Sequence, residues 1–194
     1  MMLDEKYWEN RWQLDQTGWD LKAPAPAIME LVLTNCSKED RILIPGAGNA
    51  YEAATLFEEY GYVNVFICDW AKQPLDAFKK RNPNFPKDQI LHINFFDIKQ
   101  QFDFIIEQTF FCAIPVELRK SYCIKAYELL VQSGHIMGLL FNRKFDMEGP
   151  PFGGSKEEYE SLFRGLFKIH RLENSQISIK ARLGSELIFA FEKC

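Results

Sequence analysis

From Arg41 onward, short apolar runs alternate with stretches of helical spacing, and this alternation narrows the fold more than any other feature. RILIP (41–45) closes on a Gly/Pro-rich turn and is followed by NAYEAATLFEEY (49–60), which has helical spacing and ends at Gly61. The pattern then predicts a strand at 63–68, a helix at about 71–81, and strands at 90–94 and 102–107. A helix over 115–132, a strand at 135–142 and a helix at 155–166 complete the series. Such β-α units demand a parallel sheet with right-handed crossovers and helices on both faces. The last two strand-like runs, 167–177 and 186–192, are separated by about eight residues. That is too short for a helical crossover, so an antiparallel C-terminal hairpin is expected. Ahead of the repeat, 3–14 reads as an amphipathic helix, and a short helix follows Pro24 and Pro26 to about Asn35.

With 194 residues and 47% hydrophobic side chains, the chain suits one domain over 1–194, in which 1–35 forms an N-terminal helical lid segment. No run approaches the roughly 18–20 apolar residues that span a bilayer. The first residues, MMLDEKYWENRW, are charged, so a cytoplasmic protein is expected, with no membrane partner. A net charge of −4 and the lack of a basic stripe argue against nucleic acid as a partner. The five cysteines are odd in number, no CxxC occurs, and His92, His135 and His170 lie far apart in sequence. Neither a disulfide framework nor a metal site is expected.

A parallel sheet of this kind binds ligands outside the carboxyl ends of its strands, at the switch point after the first strand. That gathers Pro45–Asn49, Asp69, Asn94–Asp97 and Glu107–Ile114 around one cleft. Gly46 and Gly48 in PGAGNAYE (45–52) let the backbone turn tightly and approach a ligand. Amides at the next helix N-terminus offer partial positive charge to a carboxylate. Asp69, with Trp70 beside it, stands about 20 residues past the glycines, where an acid accepts both ribose hydroxyls of a nucleoside; a local cap is the plainer role. Asp97 can take an adenine amino group while Phe95 or Phe96 covers the ring, or Asn94 and Asp97 can simply shape a turn. Trp8 and Trp12 share one helix face and Trp19 follows in TGWD. They form either a docking stripe or an aromatic lid that excludes water. GPPF (149–152) is similar to an amino-group DNA methyltransferase motif, but Gly149 has no side chain to accept a hydrogen bond, and the DNA reading is rejected.

Trp8-x-x-x-Trp12, TGWD, Pro45-Gly46-Ala47-Gly48, FFCAI (110–114) and GPPF together resemble the thiopurine S-methyltransferase superfamily, and within it the halide and thiol methyltransferases. The resemblance covers nearly the whole chain. It implies an α/β, class I methyltransferase (Rossmann-like) fold: a mostly parallel seven-stranded sheet with a C-terminal antiparallel hairpin. It also implies S-adenosylmethionine as cofactor, S-adenosylhomocysteine as product, and a small-molecule acceptor such as a thiol, bisulfide or halide. Trp8, Trp12 and Trp19 would then pack on the cofactor, Pro45, Gly46 and Gly48 would line its methionine part, and Asp69 and Trp70 its ribose. Asn94, Phe95, Phe96 and Asp97 would border the adenine, with Glu107, Gln108 and Thr109 beside the transferred methyl. Phe111, Cys112, Pro150, Pro151 and Arg182, together with Trp19, would wall the acceptor pocket. Gln108 stands where the thiopurine branch carries an Arg, which tilts the reading toward halides and simple thiols.

If a general base exists, Glu107 is the candidate by position. A soft acceptor needs little help, since a thiol of pKa about 8.5 is already a few per cent thiolate near pH 7. A non-catalytic cofactor-binding module, or transfer to an unrelated small metabolite, stays open as the alternative. A nicotinamide-dependent oxidoreductase would want a third glycine and a sixth parallel strand. A monomer is the default.

Overall fold

The computed structural model describes residues 3–146 and 149–194. Helices α1 (Glu5–Gln13) and α2 (Pro26–Asn35) precede β1 (Ile42–Pro45), α3 (Tyr51–Glu58), β2 (Val65–Asp69), α4 (Lys72–Arg81) and β3 (Ile90–His92). Then come β4 (Phe102–Gln108), α5 (Arg119–Leu129), β5 (Leu130–Phe141), α6 (Lys156–Phe163), β6 (Phe167–Asn174) and β7 (Glu186–Lys193). The strands form one sheet in the order β3-β2-β1-β4-β5-β7-β6. The first five pair in parallel, whereas β7 runs antiparallel to both β5 and β6. The expected hairpin therefore forms, with its second strand threaded in against β5.

Strand β1 is buried along its whole length, and its side chains divide between two cores as the pleat requires. Ile42 and Ile44 join Ile28, Leu56, Leu75 and Phe78 on the face covered by α2, α3 and α4. Leu43 points the other way, into a core with Tyr122, Ala126, Tyr159 and Phe163 from α5 and α6. Helices on both faces explain the near-continuous apolar strands.

The largest boundary differences from the sequence reading lie around α5 and β5. The helix expected over 115–132 is a 3-10 turn at Val116–Leu118 followed by α5, which stops at Leu129. The strand expected from 135 begins at Leu130, which pairs with Phe102. Ser133 (φ 61°) and the adjoining Gly134 thus form an irregularity inside the strand, not a helix stop. Cys68 and Cys123 are buried core residues, and the cysteines are free thiols. Among the described residues, no helix is long and apolar enough to cross a membrane.

Candidate active site

Strand order reverses at β1, because β2 and β3 lie to one side of it and β4 and β5 to the other. A crevice opens where the two connections leave in opposite directions. A cavity of about 820 Å³ occupies this place, lined from the ends of β1, β2, β4 and β5 and roofed by the N-terminal segment.

The turn after β1 puts Gly46 (φ 58°), Gly48 (φ 51°) and Ala50 (φ 51°) in the left-handed region. A Cβ on Gly46 would lie 2.4 Å from the Phe110 ring, and one on Gly48 would lie 2.9 Å from Trp12. Glycine is thus required twice over, by φ and by crowding. Asp69 locks the turn. One of its oxygens accepts the Gly48 N–H at 2.8 Å, and the other accepts the Ala71 N–H at 2.8 Å. Burial pushes Asp69 up to about 6, against the pull of these amides, the Trp70 amide and His92. Each carboxylate oxygen has a second lone pair, and Asp69 lines the cavity. The structural and the ligand-binding readings of Asp69 are therefore compatible.

The roof is built around Trp19. Its ring meets Trp8 at 5.6 Å and Trp12 at 5.8 Å, both edge-on, with Arg11 5.5 Å above it. Glu9 Oε2 accepts the Lys72 and Gln73 amides (2.7 and 3.1 Å), which ties α1 to the N-terminus of α4. Asp20 accepts from Asn49 (2.9 Å) and from the Tyr51 hydroxyl (3.3 Å). Arg182 donates to the Trp19 carbonyl at 2.9 Å. The segment read as a lid is thus bound to three separate parts of the wall.

Glu107 is 1% exposed and does not line the cavity. Its Oε1 accepts the Phe110 and Phe111 amides, both at 2.9 Å, and its Oε2 accepts the Tyr122 hydroxyl at 2.6 Å. Burial outweighs these bonds and raises its pKa to about 7. In the structure Glu107 holds the 109–112 turn from behind the cavity lining, whereas the sequence reading set it beside the transferred methyl. Gly138 faces the Glu107 carbonyl so closely that a Cβ would come within 1.9 Å of it.

At another part of the cavity wall, Arg182 lies 5.5 Å over Phe141 and pairs with buried Glu186 at 3.4 Å. Arg143 lies 4.8 Å over Phe145, whose ring meets Phe141 edge-on at 5.0 Å. Pro150 and Pro151 close this wall. The Phe152 amide bonds the Cys112 carbonyl at 2.7 Å, joining the GPPF and FFCAI segments. Behind them, fully buried Arg119 donates to Glu158 (2.6 Å) and to the Gly153 carbonyl (2.8 Å). The Cys112 thiol reaches the cavity but is pushed up to about 12 by burial, so it stays a neutral lining group.

Of the residues singled out from sequence, Trp8, Trp12, Trp19, Gly46, Asp69 and Trp70 line the cavity. So do Asn94, Phe95, Phe96, Thr109, Cys112, Pro150, Pro151 and Arg182. Pro45, Gly48, Asp97, Gln108 and Phe111 do not. Pro45 is buried as the last residue of β1, and Gly48 lies beneath Trp12. Asp97 is exposed at the end of a 3-10 turn, Gln108 ends β4, and Phe111 packs on Tyr122 and Tyr159 in the core. Sequence reasoning missed Arg11, Phe141, Arg143 and Phe145. Arg11 shares the helix face of Trp8, and the other three alternate along the extended chain leaving β5, so periodicity could have found them.

A seven-stranded sheet with one antiparallel inner strand and a cavity at the β1 switch point is the architecture of class I methyltransferases. The chain superposes on the 1,6-didemethyltoxoflavin-N1-methyltransferase of Burkholderia thailandensis, solved with its substrate and S-adenosylhomocysteine. The TM-score is 0.74 at 13% identity, over 97% of this chain and 86% of that one. Residues 3–193 match the family described as Thiopurine S-methyltransferase (TPMT), and the chain belongs to that family. Among its relatives is a probable thiol methyltransferase 2 of Arabidopsis thaliana, 28% identical over 96% of this chain and 84% of that protein. Thiocyanate methyltransferase 1 of the same plant is 26% identical over 98% of this chain and 86% of its own length.

Proposed function

We propose that this protein transfers the methyl group of S-adenosylmethionine to a small soft nucleophile, a thiol, bisulfide or halide. The observation that carries the reading is one continuous cavity with two unlike ends: Asp69 and the glycine turn at one, Arg143, Arg182 and the paired prolines at the other. Membership of the family and the names of its thiol- and thiocyanate-methylating relatives support the acceptor class.

The cavity fits the cofactor by the chemistry of its lining. Asp69 keeps lone pairs for ribose hydroxyls, Phe95 and Phe96 give the lining an aromatic, apolar stretch suited to an adenine, and Gly46 leaves room that a side chain would fill. S-adenosylmethionine supplies an electrophilic methyl on a sulfonium. The acceptor's lone pair forms the new bond as the carbon–sulfur bond breaks, and the bonding pair returns to sulfur. The protein's task is alignment and exclusion of water, worth about 7–11 kcal/mol in favourable cases. Trp8, Trp12 and Trp19 supply the water screen, and their faces stabilise a nearby cation by about 0.5–2 kcal/mol. Arg143 and Arg182 bring two guanidinium groups to the acceptor end, with the charge of Arg182 balanced by Glu186, so Arg143 is the group that favours an anion.

No base is assigned. With Glu107 sealed behind the wall, the acceptor arrives already anionic, so the pH–rate profile should be flat for iodide and rise with pH for thiols. A cytoplasmic setting and a monomer without nucleic acid partners complete the proposal, supported by the net charge of −4.

The test is a methyl-transfer assay with bisulfide, thiophenol, thiocyanate and iodide, quantifying S-adenosylhomocysteine, with Asp69→Ala as control. Turnover lost in the variant supports the reading. Cofactor binding by calorimetry without turnover on any acceptor would replace it with a binding-only module.

A further inference from the structure

At the sheet end opposite the cavity, three neighbouring strands each bring one metal-capable side chain to the same place. His135 on β5 is paired directly with Glu192 on β7. On β6, the register slips between Ile169 and Arg171, and His170 is the extra residue at that slip. Its ring turns toward the other two, with Nε2 2.6 Å from Glu192 Oε2 and its centroid 5.9 Å from that of His135. The donor atoms of His135, His170 and Glu192 all lie within 4.8 Å of one another. His135 is also stacked on Phe104 at 5.6 Å, which holds its ring in place. The expectation of no metal site rested on distance along the chain, and the sheet removes that distance.

We propose that His135, His170 and Glu192 bind a borderline transition-metal ion of the zinc class. Two imidazoles and one carboxylate are a donor set suited to zinc, and a fourth position would be left to water. With metal–donor bonds of about 2.0–2.2 Å, tetrahedral donors stand about 3.3 Å apart, which the present spacing reaches by small side-chain rotations. His170 and Glu192 remain open to solvent, so an ion has a way in. Lys168, opposite Glu192 across β6 and β7, is the nearby cation that works against it. None of the three residues lines the cavity, so the ion has a structural task. It clips the edge strand β6 through β7 to β5, and it stabilises the folded state by mass action. This inference stands apart from the proposed methyl transfer.

Zinc chloride would be titrated into the metal-free protein by calorimetry and in thermal unfolding, in a Cys194→Ser background because Cys194 is an exposed competing thiol. The expected result is one zinc per chain and a melting temperature that climbs with zinc concentration. His170→Ala, which changes an exposed side chain, should weaken binding at least about tenfold, as should Glu192→Gln. Histidine side-chain NMR should show the zinc-induced shifts at His135 and His170 and not at His92. Absence of zinc uptake by the folded protein, or uptake unaltered by both variants, would overturn the proposal.

Discussion

Strands β2 and β4 flank β1, and each carries an acid at its last or next-to-last residue that gathers two backbone amides. Asp69 takes those of Gly48 and Ala71, and Glu107 those of Phe110 and Phe111. Burial raises both, to about 6 and about 7. They differ in what faces their remaining lone pairs. For Asp69 it is the cavity, whereas for Glu107 it is the Tyr122 hydroxyl, with Phe111 packed on that ring. The same local device thus faces a cavity on one strand and acts as an internal brace on the other. Position at a strand end does not decide a role; what covers the side chain does.

The largest effect expected from breaking this pair is Asp69→Ala. Losing two hydrogen bonds to a charged acceptor, at about 1.5–3 kcal/mol each, should weaken cofactor binding at least about 100-fold by calorimetry. Binding within threefold of wild type would remove the distinction between the strand ends. For Glu107 the expected damage lies in stability. Glu107→Leu strands two buried amides and the Tyr122 hydroxyl, which should cost about 3–5 kcal/mol in denaturant unfolding. Glu107→Gln preserves the acceptor toward the amides and should keep methyl transfer within a few-fold, since a lost general base would cost about 10²–10⁴-fold.

The two raised carboxylates also set a pH dependence of unusual sign. A folded pKa above the unfolded one means that the folded protein binds more protons between the two values. For Glu107 that window runs from about 7 down to the ordinary 4.5, and the protein should gain stability across it as pH falls. The gain is on the order of 1–3 kcal/mol. Thermal melts at pH 7.5 and pH 5 should show wild type gaining on Glu107→Gln as the solution is acidified. Parallel curves would show that Glu107 is ionised alike in the folded and unfolded chain.

This contrast bears on what could be read from sequence. The β-α alternation, the parallel sheet and the hairpin follow from periodicity and loop length, whereas the place of β7 between β5 and β6 does not. The glycine turn was also legible, because φ and crowding both select glycine at 46 and 48. Asp69 was legible as a strand-end acid about 20 residues past the glycines, although what faces its free lone pairs was not. Glu107 was legible only as a position, because the Tyr122 hydroxyl that takes its second oxygen comes from α5, packed on it by the fold. Arg182 was named from the resemblance, but its bond to the Trp19 carbonyl, 163 residues away, was not. Contacts of that range are made by the fold, and no local pattern announces them. The slip of helix into strand at Leu130 has a similar origin, since pairing with Phe102 overrides the Ser133-Gly134 stop.

The smallest expected effect concerns how the roof is held at the β2 end. Helix α4 starts at Lys72 with Ala71 as its cap residue, which has no side-chain acceptor to offer. Glu9 of α1 supplies one from outside, taking the Lys72 and Gln73 amides and placing negative charge at the positive end of the α4 dipole. A cap is typically worth about 1 kcal/mol, so Glu9→Gln should raise the KM for S-adenosylmethionine about two- to fivefold. The kcat should hold within about twofold, because the acceptor end is untouched. The rise should shrink at high ionic strength, where the wild-type contact is itself screened. An equal loss in kcat and kcat/KM would mean that α1 acts on the reacting atoms and is more than a screen for the cofactor.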